Sequence, residues 1–74
     1  MKHPMSPTIF LAFYLILGSW KGYLALFDQD AQEPKQIFPC SVDTLPQDDQ
    51  ISLDAGIMIR NDRQLQQLLE DYLS

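Results

Sequence analysis

Histidine and cysteine are almost missing from this chain: His3 and Cys40 are the only ones in 74 residues. A single thiol closes no internal disulfide, and no Cys/His set with metal-ligand spacing can be assembled. The body of the chain has no histidine to act as general base for Cys40 or for any serine. No glycine-rich phosphate loop and no internal repeat occurs. Basic residues are scarce as well, five Lys and Arg against ten Asp and Glu, for a net charge of −5. Nucleic-acid binding needs clustered Lys and Arg to neutralise phosphates, so that class is excluded. Adjacent carboxylates such as Asp48/Asp49 and Glu70/Asp71 diverge on a helix and do not form a catalytic pair. The expectation is a protein that is not an enzyme, with no catalytic residue, no metal and no cofactor.

At this length one domain is the ceiling, and a single small core rarely supplies more than about 3–5 kcal/mol of net stability. Charge divides the chain in two. Residues 1–27 hold Lys2 and Lys21 and no acid, giving +2; residues 28–74 hold three basic residues and ten acids, 3 − 10 = −7. The acidic part reads as a solvated surface that keeps a small domain soluble.

The N-terminal segment carries an unbroken apolar run, Ile9–Leu17. As a helix the run is roughly 14 Å long, against a hydrocarbon core about 30 Å thick. Extending the window to residues 8–27 reaches spanning length but takes in Gly18, Ser19, Lys21 and Gly22. A signal peptide is a second reading, with Lys2 and His3 as a basic start and a poor cleavage pattern at Ser19 or Ala25. The third reading makes residues 15–27 a β-hairpin turning at Gly22, whose lack of a Cβ admits positive φ. On its second strand Leu24 and Leu26 share one face, and Tyr23, Ala25 and Phe27 the other. The hairpin and the spanning helix exclude each other.

Residues 28–35 read as a polar loop. Gln36–Val42 can form a strand, and Pro39, which cannot donate to a ladder, places it at a sheet edge or a bulge. Thr44 stands as an N-cap with Gln47 at the capping-box spacing and Pro46 in the first turn. Asp48 and Asp49 suit the positive end of that helix. Leu45, Ile51 and Leu53 are expected to face inward, and Gly56 to end the helix. Ile57–Arg60 is a short extended run leading out. Asn61 then caps a second helix over about residues 62–73, whose Leu65, Leu68, Leu69 and Tyr72 recur at i, i+3, i+4 and i+7 on one face.

The order Leu45-Pro46, Asp49-Gln50, Leu53, Gly56-Ile57, then Leu65, Leu68, Leu69 and the ending Glu70-Asp71-Tyr72-Leu73-Ser74 resembles the C-terminal domain of the bypass-of-forespore-C family of spore-forming bacteria. Gly22, Leu24, Ala25, Leu26 and Phe27 resemble the strand–Gly–strand opening of the same domain, so the similarity covers about residues 15–74. The resemblance implies a small α+β domain with no family active site, related to a checkpoint regulator of a signalling serine protease during sporulation.

The expected architecture is α+β, a small antiparallel sheet of a hairpin plus an edge strand, packed by two short helices. Residues 1–14 are an apolar lead-in, a signal or anchor remnant, and residues 15–74 a single domain. The expected function is a non-catalytic protein-interaction or regulatory module associated with sporulation. The alternative is a single-span membrane protein inserted through residues 8–27 with an acidic tail. The expected partner is another protein, with a membrane reached through the N-terminal segment and self-association through an edge strand as further routes. Membrane-associated or exported placement is favoured over cytoplasmic.

Overall fold

The computed structural model describes residues 14–74. Apart from Tyr14, the expected lead-in lies outside the described residues, as does the stretch 8–13 of the candidate span.

Strands β1 (Leu15–Trp20) and β2 (Tyr23–Asp28) pair antiparallel from Leu15↔Asp28 to Trp20↔Tyr23. The two-residue turn between them holds Lys21 at φ 52° and Gly22 at φ 90°. Positive φ at both central positions matches the twist of the flanking strands. Residues 15–27 are therefore strand and turn, which removes them from any spanning helix. No helix among the described residues is long and apolar enough to cross a membrane.

Strand β3 (Gln36–Ser41) pairs antiparallel with β2 at the sheet edge, where Pro39 required it to be. The register shifts between Tyr23, opposite Ser41, and Ala25, opposite Ile37. Two steps along β2 thus face four along β3, and the bulge falls on the segment containing Pro39. Strand β4 (Ile57–Ile59) pairs antiparallel with β1, Leu15↔Ile59 and Leu17↔Ile57, giving the order β3-β2-β1-β4. The extended run after Gly56 is thus a fourth strand. Its two isoleucines stand on the same sheet face as Leu15 and Leu17, and Ile59 is buried in the core.

Helix α1 (Gln47–Ala55) does not start as the capping-box pattern requires. A 3-10 turn over Val42–Thr44 intervenes, and the Thr44 hydroxyl donates back to the Ser41 carbonyl at 2.6 Å. Pro46 occupies the N-cap with no side-chain cap, and Gln47 is the first helical residue. Gln50 ties this entry down instead, donating from Nε2 to the Leu45 carbonyl at 2.8 Å. Leu53 is buried and Leu45 packs against the core, but Ile51 is 62% exposed, contrary to its inward expectation. Two residues amount to about 200° around a helix, so with Leu53 facing in, Ile51 faces out. Gly56, at φ 92°, ends α1, and its N–H donates to the Ser52 and Leu53 carbonyls.

Helix α2 (Asp62–Leu73) begins as its sequence requires: the Asn61 side chain accepts from the Gln64 N–H at 2.9 Å. Its stripe of Leu65, Leu68, Leu69 and Tyr72 packs on a core of Leu17, Leu24, Leu26, Phe38, Cys40, Leu53 and Ile59. The Cys40 thiol donates to the Tyr72 carbonyl at 3.6 Å, so the lone cysteine is a buried core residue under the end of α2.

Candidate interaction face

Alternation along the strands gives the sheet two unlike faces. Leu15, Leu17, Leu24, Leu26, Phe38, Cys40, Ile57 and Ile59 face the core, with α2 laid over them. By the same register Ile16, Gly18, Trp20, Tyr23, Ala25, Phe27, Ile37 and Met58 stand on the opposite face. The exposed side of an antiparallel sheet ordinarily alternates to polar residues. Here none of these eight side chains is charged, although the chain holds ten acids. Tyr23 is 50% exposed, Ile37 51% and Met58 41%.

The centre of this outer face is shallow. Gly18 lies opposite Ala25 in the ladder, and Trp20 and Phe27 meet edge to face with ring centroids 6.2 Å apart. A Cβ on Gly18 would stand 3.7 Å from Phe27 Cε1 and 3.2 Å from the Leu53 carbonyl, so the end of α1 comes close there. Ala25 is fully buried beneath these neighbours. The Lys21 ammonium, 5.4 Å from the Trp20 ring centroid, stands at the margin in cation–π range. Asp28 and Asp54 border a hollow whose floor includes Ile16, Gly18 and Phe27.

Both edges of the sheet carry features that blunt strand addition. On β3, Pro39 lacks an N–H and the bulge displaces the register. On β4, the Gln64 side chain clasps the strand from the first turn of α2: Nε2 donates to the Met58 carbonyl at 2.9 Å and Oε1 accepts from the Arg60 N–H at 2.8 Å. Such covering blunts a strand against addition.

A separate groove of about 520 Å³ is lined by Leu15, Ile59 and Leu65, with Asp28, Asp30 and Asp62 among its polar residues. Its lining contains no Ser, Cys or His. Among the described residues no group of three His, Cys, Asp or Glu could hold a metal ion. Burial, with smaller contributions from Asp49 and Asp71, pushes the Tyr72 phenol above its ordinary value.

The residues singled out in the sequence fall elsewhere. Gly22 makes the turn; Leu24, Leu26 and Leu53 are core; Leu45, Leu65, Leu68, Leu69 and Tyr72 pack around it. Thr44, Pro46, Gln47, Gly56 and Asn61 sit at helix ends. All are determinants of the fold. Of these, Leu53 and Gly56 also border the hollow of the outer face, beside Gly18 and Ile16. Trp20, Tyr23, Ile37 and Met58 were missed as a set. Their signal is an apolar residue at both parities of β2, where an exposed antiparallel strand would alternate with polar ones.

A four-stranded antiparallel sheet with two helices defines a small α+β domain. Residues 5–74 match the family model of the BofC C-terminal domain, and the chain belongs to that family. The match begins ten residues before β1 and runs to the last residue. Membership makes this a sporulation-type small protein of regulatory association. No curated protein and no solved structure matches the chain.

Proposed function

We propose that this domain is a non-catalytic docking module of a sporulation-associated regulator, and that it presents the outer face of its sheet to another protein. One observation carries the reading. Tyr23, Ile37 and Met58 are exposed on a sheet face whose strand side chains carry no charge, with Asp28, Asp54 and Lys21 at its border. Exposed apolar surface rimmed by polar residues marks interaction sites, and Trp and Tyr are favoured anchors of protein interfaces.

The test is site-specific photo-crosslinking in a spore-forming host, with the reactive group placed at Ile37 or, as control, at exposed Gln66 on α2. The reading predicts a discrete protein adduct from Ile37 and none from Gln66. Equal adducts from both positions, or none from Ile37 while the protein is folded and expressed, would contradict it.

A further inference from the structure

A helix laid against a small core ordinarily hides its apolar stripe. None of the residues of α2 is fully buried, although Leu65, Leu68, Leu69 and Tyr72 all pack on the core. Leu65, Leu69 and Leu73 stand four residues apart along one flank of the helix, a row about 12 Å long. Leu73, at the far end of the row, is 42% exposed. At the near end Leu65 joins Leu15 and Ile59 in lining the groove of about 520 Å³, and Leu69 and Leu73 line a second hollow with Gln66 and Glu70. One apolar track thus runs from the start of β1 to the end of α2.

The chain itself enters at the head of this track. Tyr14 lines the groove, and its N–H donates to the Gln29 side chain at 3.2 Å. The five residues before it, Ile9, Phe10, Leu11, Ala12 and Phe13, are all apolar. The family match begins at residue 5, so this run belongs to the same sequence unit as the sheet and α2. Five residues cover roughly 7 Å as a helix and up to about 17 Å extended, and either length carries the run past Leu65 and along the row. Being tethered at Tyr14, the run meets the track at a high effective concentration. We infer that residues 9–13 close back over this track as an intramolecular cover, setting Phe10 and Phe13 against Leu65, Leu69 and Leu73. The track lies on the α2 side of the sheet, so the inference stands apart from the docking role proposed above.

The test uses the full chain, methyl-labelled at isoleucine and leucine, in buffer without detergent. The expected result is a set of nuclear Overhauser contacts from the Phe10 and Phe13 rings to the methyls of Leu65, Leu69 and Leu73. The double variant F10S/F13S should shift those methyls, leave Ile37 on the outer face unmoved, and lower the folding equilibrium constant about tenfold. Leu73→Ser changes an exposed position and leaves the core intact. In that background the effect of F10S/F13S should shrink to about threefold, since part of the covered surface is already gone. Absence of the ring contacts, α2 methyls that ignore F10S/F13S, or full additivity of the two changes would overturn the inference. So would contacts seen only between differently labelled copies in a mixed sample, which would place the run on a second molecule. Binding of residues 9–13 to phosphatidylcholine vesicles, with no ring contacts in buffer, would give the run to lipid and overturn it as well.

Discussion

The carbonyl of Leu53 lies 3.2 Å from the place where a Cβ on Gly18 would stand. Helix α1 therefore closes on β1 at a residue with no side chain, and Leu53 can bury itself fully in the core from there.

Gly18→Ala tests that contact. A strand glycine normally costs roughly 0.5–1 kcal/mol of backbone entropy relative to alanine, so the substitution would stabilise an open site. Here the new methyl meets backbone that cannot rotate away, and overpacking costs typically about 1–3 kcal/mol. The steric effect wins, and Gly18→Ala is expected to lower stability by about 1 kcal/mol in urea unfolding, with Gly18→Val worse.

Lys21 holds positive φ in the hairpin turn, a conformation that costs a non-glycine residue roughly 1–2 kcal/mol and that asparagine tolerates best. Lys21→Asn gives the favoured Asn-Gly turn and loses the cation–π contact with Trp20, worth about 0.5 kcal/mol at an exposed site. The expected net is a gain of up to about 1 kcal/mol and a higher thermal midpoint.

The two expected caps behave differently. Asn61→Ala removes an N-cap bond and should cost about 1 kcal/mol. Thr44→Ala removes only an exposed bond to the Ser41 carbonyl, and a loss of about 0.5 kcal/mol is expected from a net hydrogen-bond value. Chemical denaturation of the two variants side by side checks the order.

Gln64→Ala takes both clasping bonds from β4. Stability should fall by about 1–2 kcal/mol, and the freed edge should give concentration-dependent association in sedimentation. A monomeric variant would show that the clasp does not guard the edge.

The Tyr72 phenol is raised, first by burial and then by Asp49 and Asp71, so the folded protein favours its neutral form. That contribution is fully present below the phenol's unfolded value, near 10 for a free tyrosine, and is lost as pH rises through the folded value. Alkaline unfolding should be shifted in Tyr72→Phe. A difference titration at 295 nm should place Tyr72 above the ordinary phenol range.

Much of the fold was legible because its signals are local. Gly22 and the alternation of Leu24 and Leu26 specified the hairpin, Pro39 specified an edge strand, and the Asn61 cap with the Leu65–Tyr72 stripe specified α2. The failures involved competition between neighbours. Thr44 had a 3-10 turn available, so its hydroxyl bonded backward and the capping box with Gln47 did not form. Ile51 is apolar but lies about 200° around the helix from buried Leu53, so its side chain faces out. Strand β4 is three residues long, and only its pairing with Leu15 and Leu17 makes it a strand. The outer face was harder still, since it joins residues from four strands, and nothing local in Ile37 or Met58 announces that both stand on the side of Tyr23 and Phe27.

The most direct measurement of the docking claim is hydroxyl-radical footprinting of Tyr23 and Met58, comparing purified protein with the protein inside sporulating cells. Both side chains are open to solvent in the isolated domain and should label readily there. A docked partner predicts their protection in the cell, with unchanged labelling of Leu73 on α2. Equal labelling of Tyr23 and Met58 in the two samples would contradict the account.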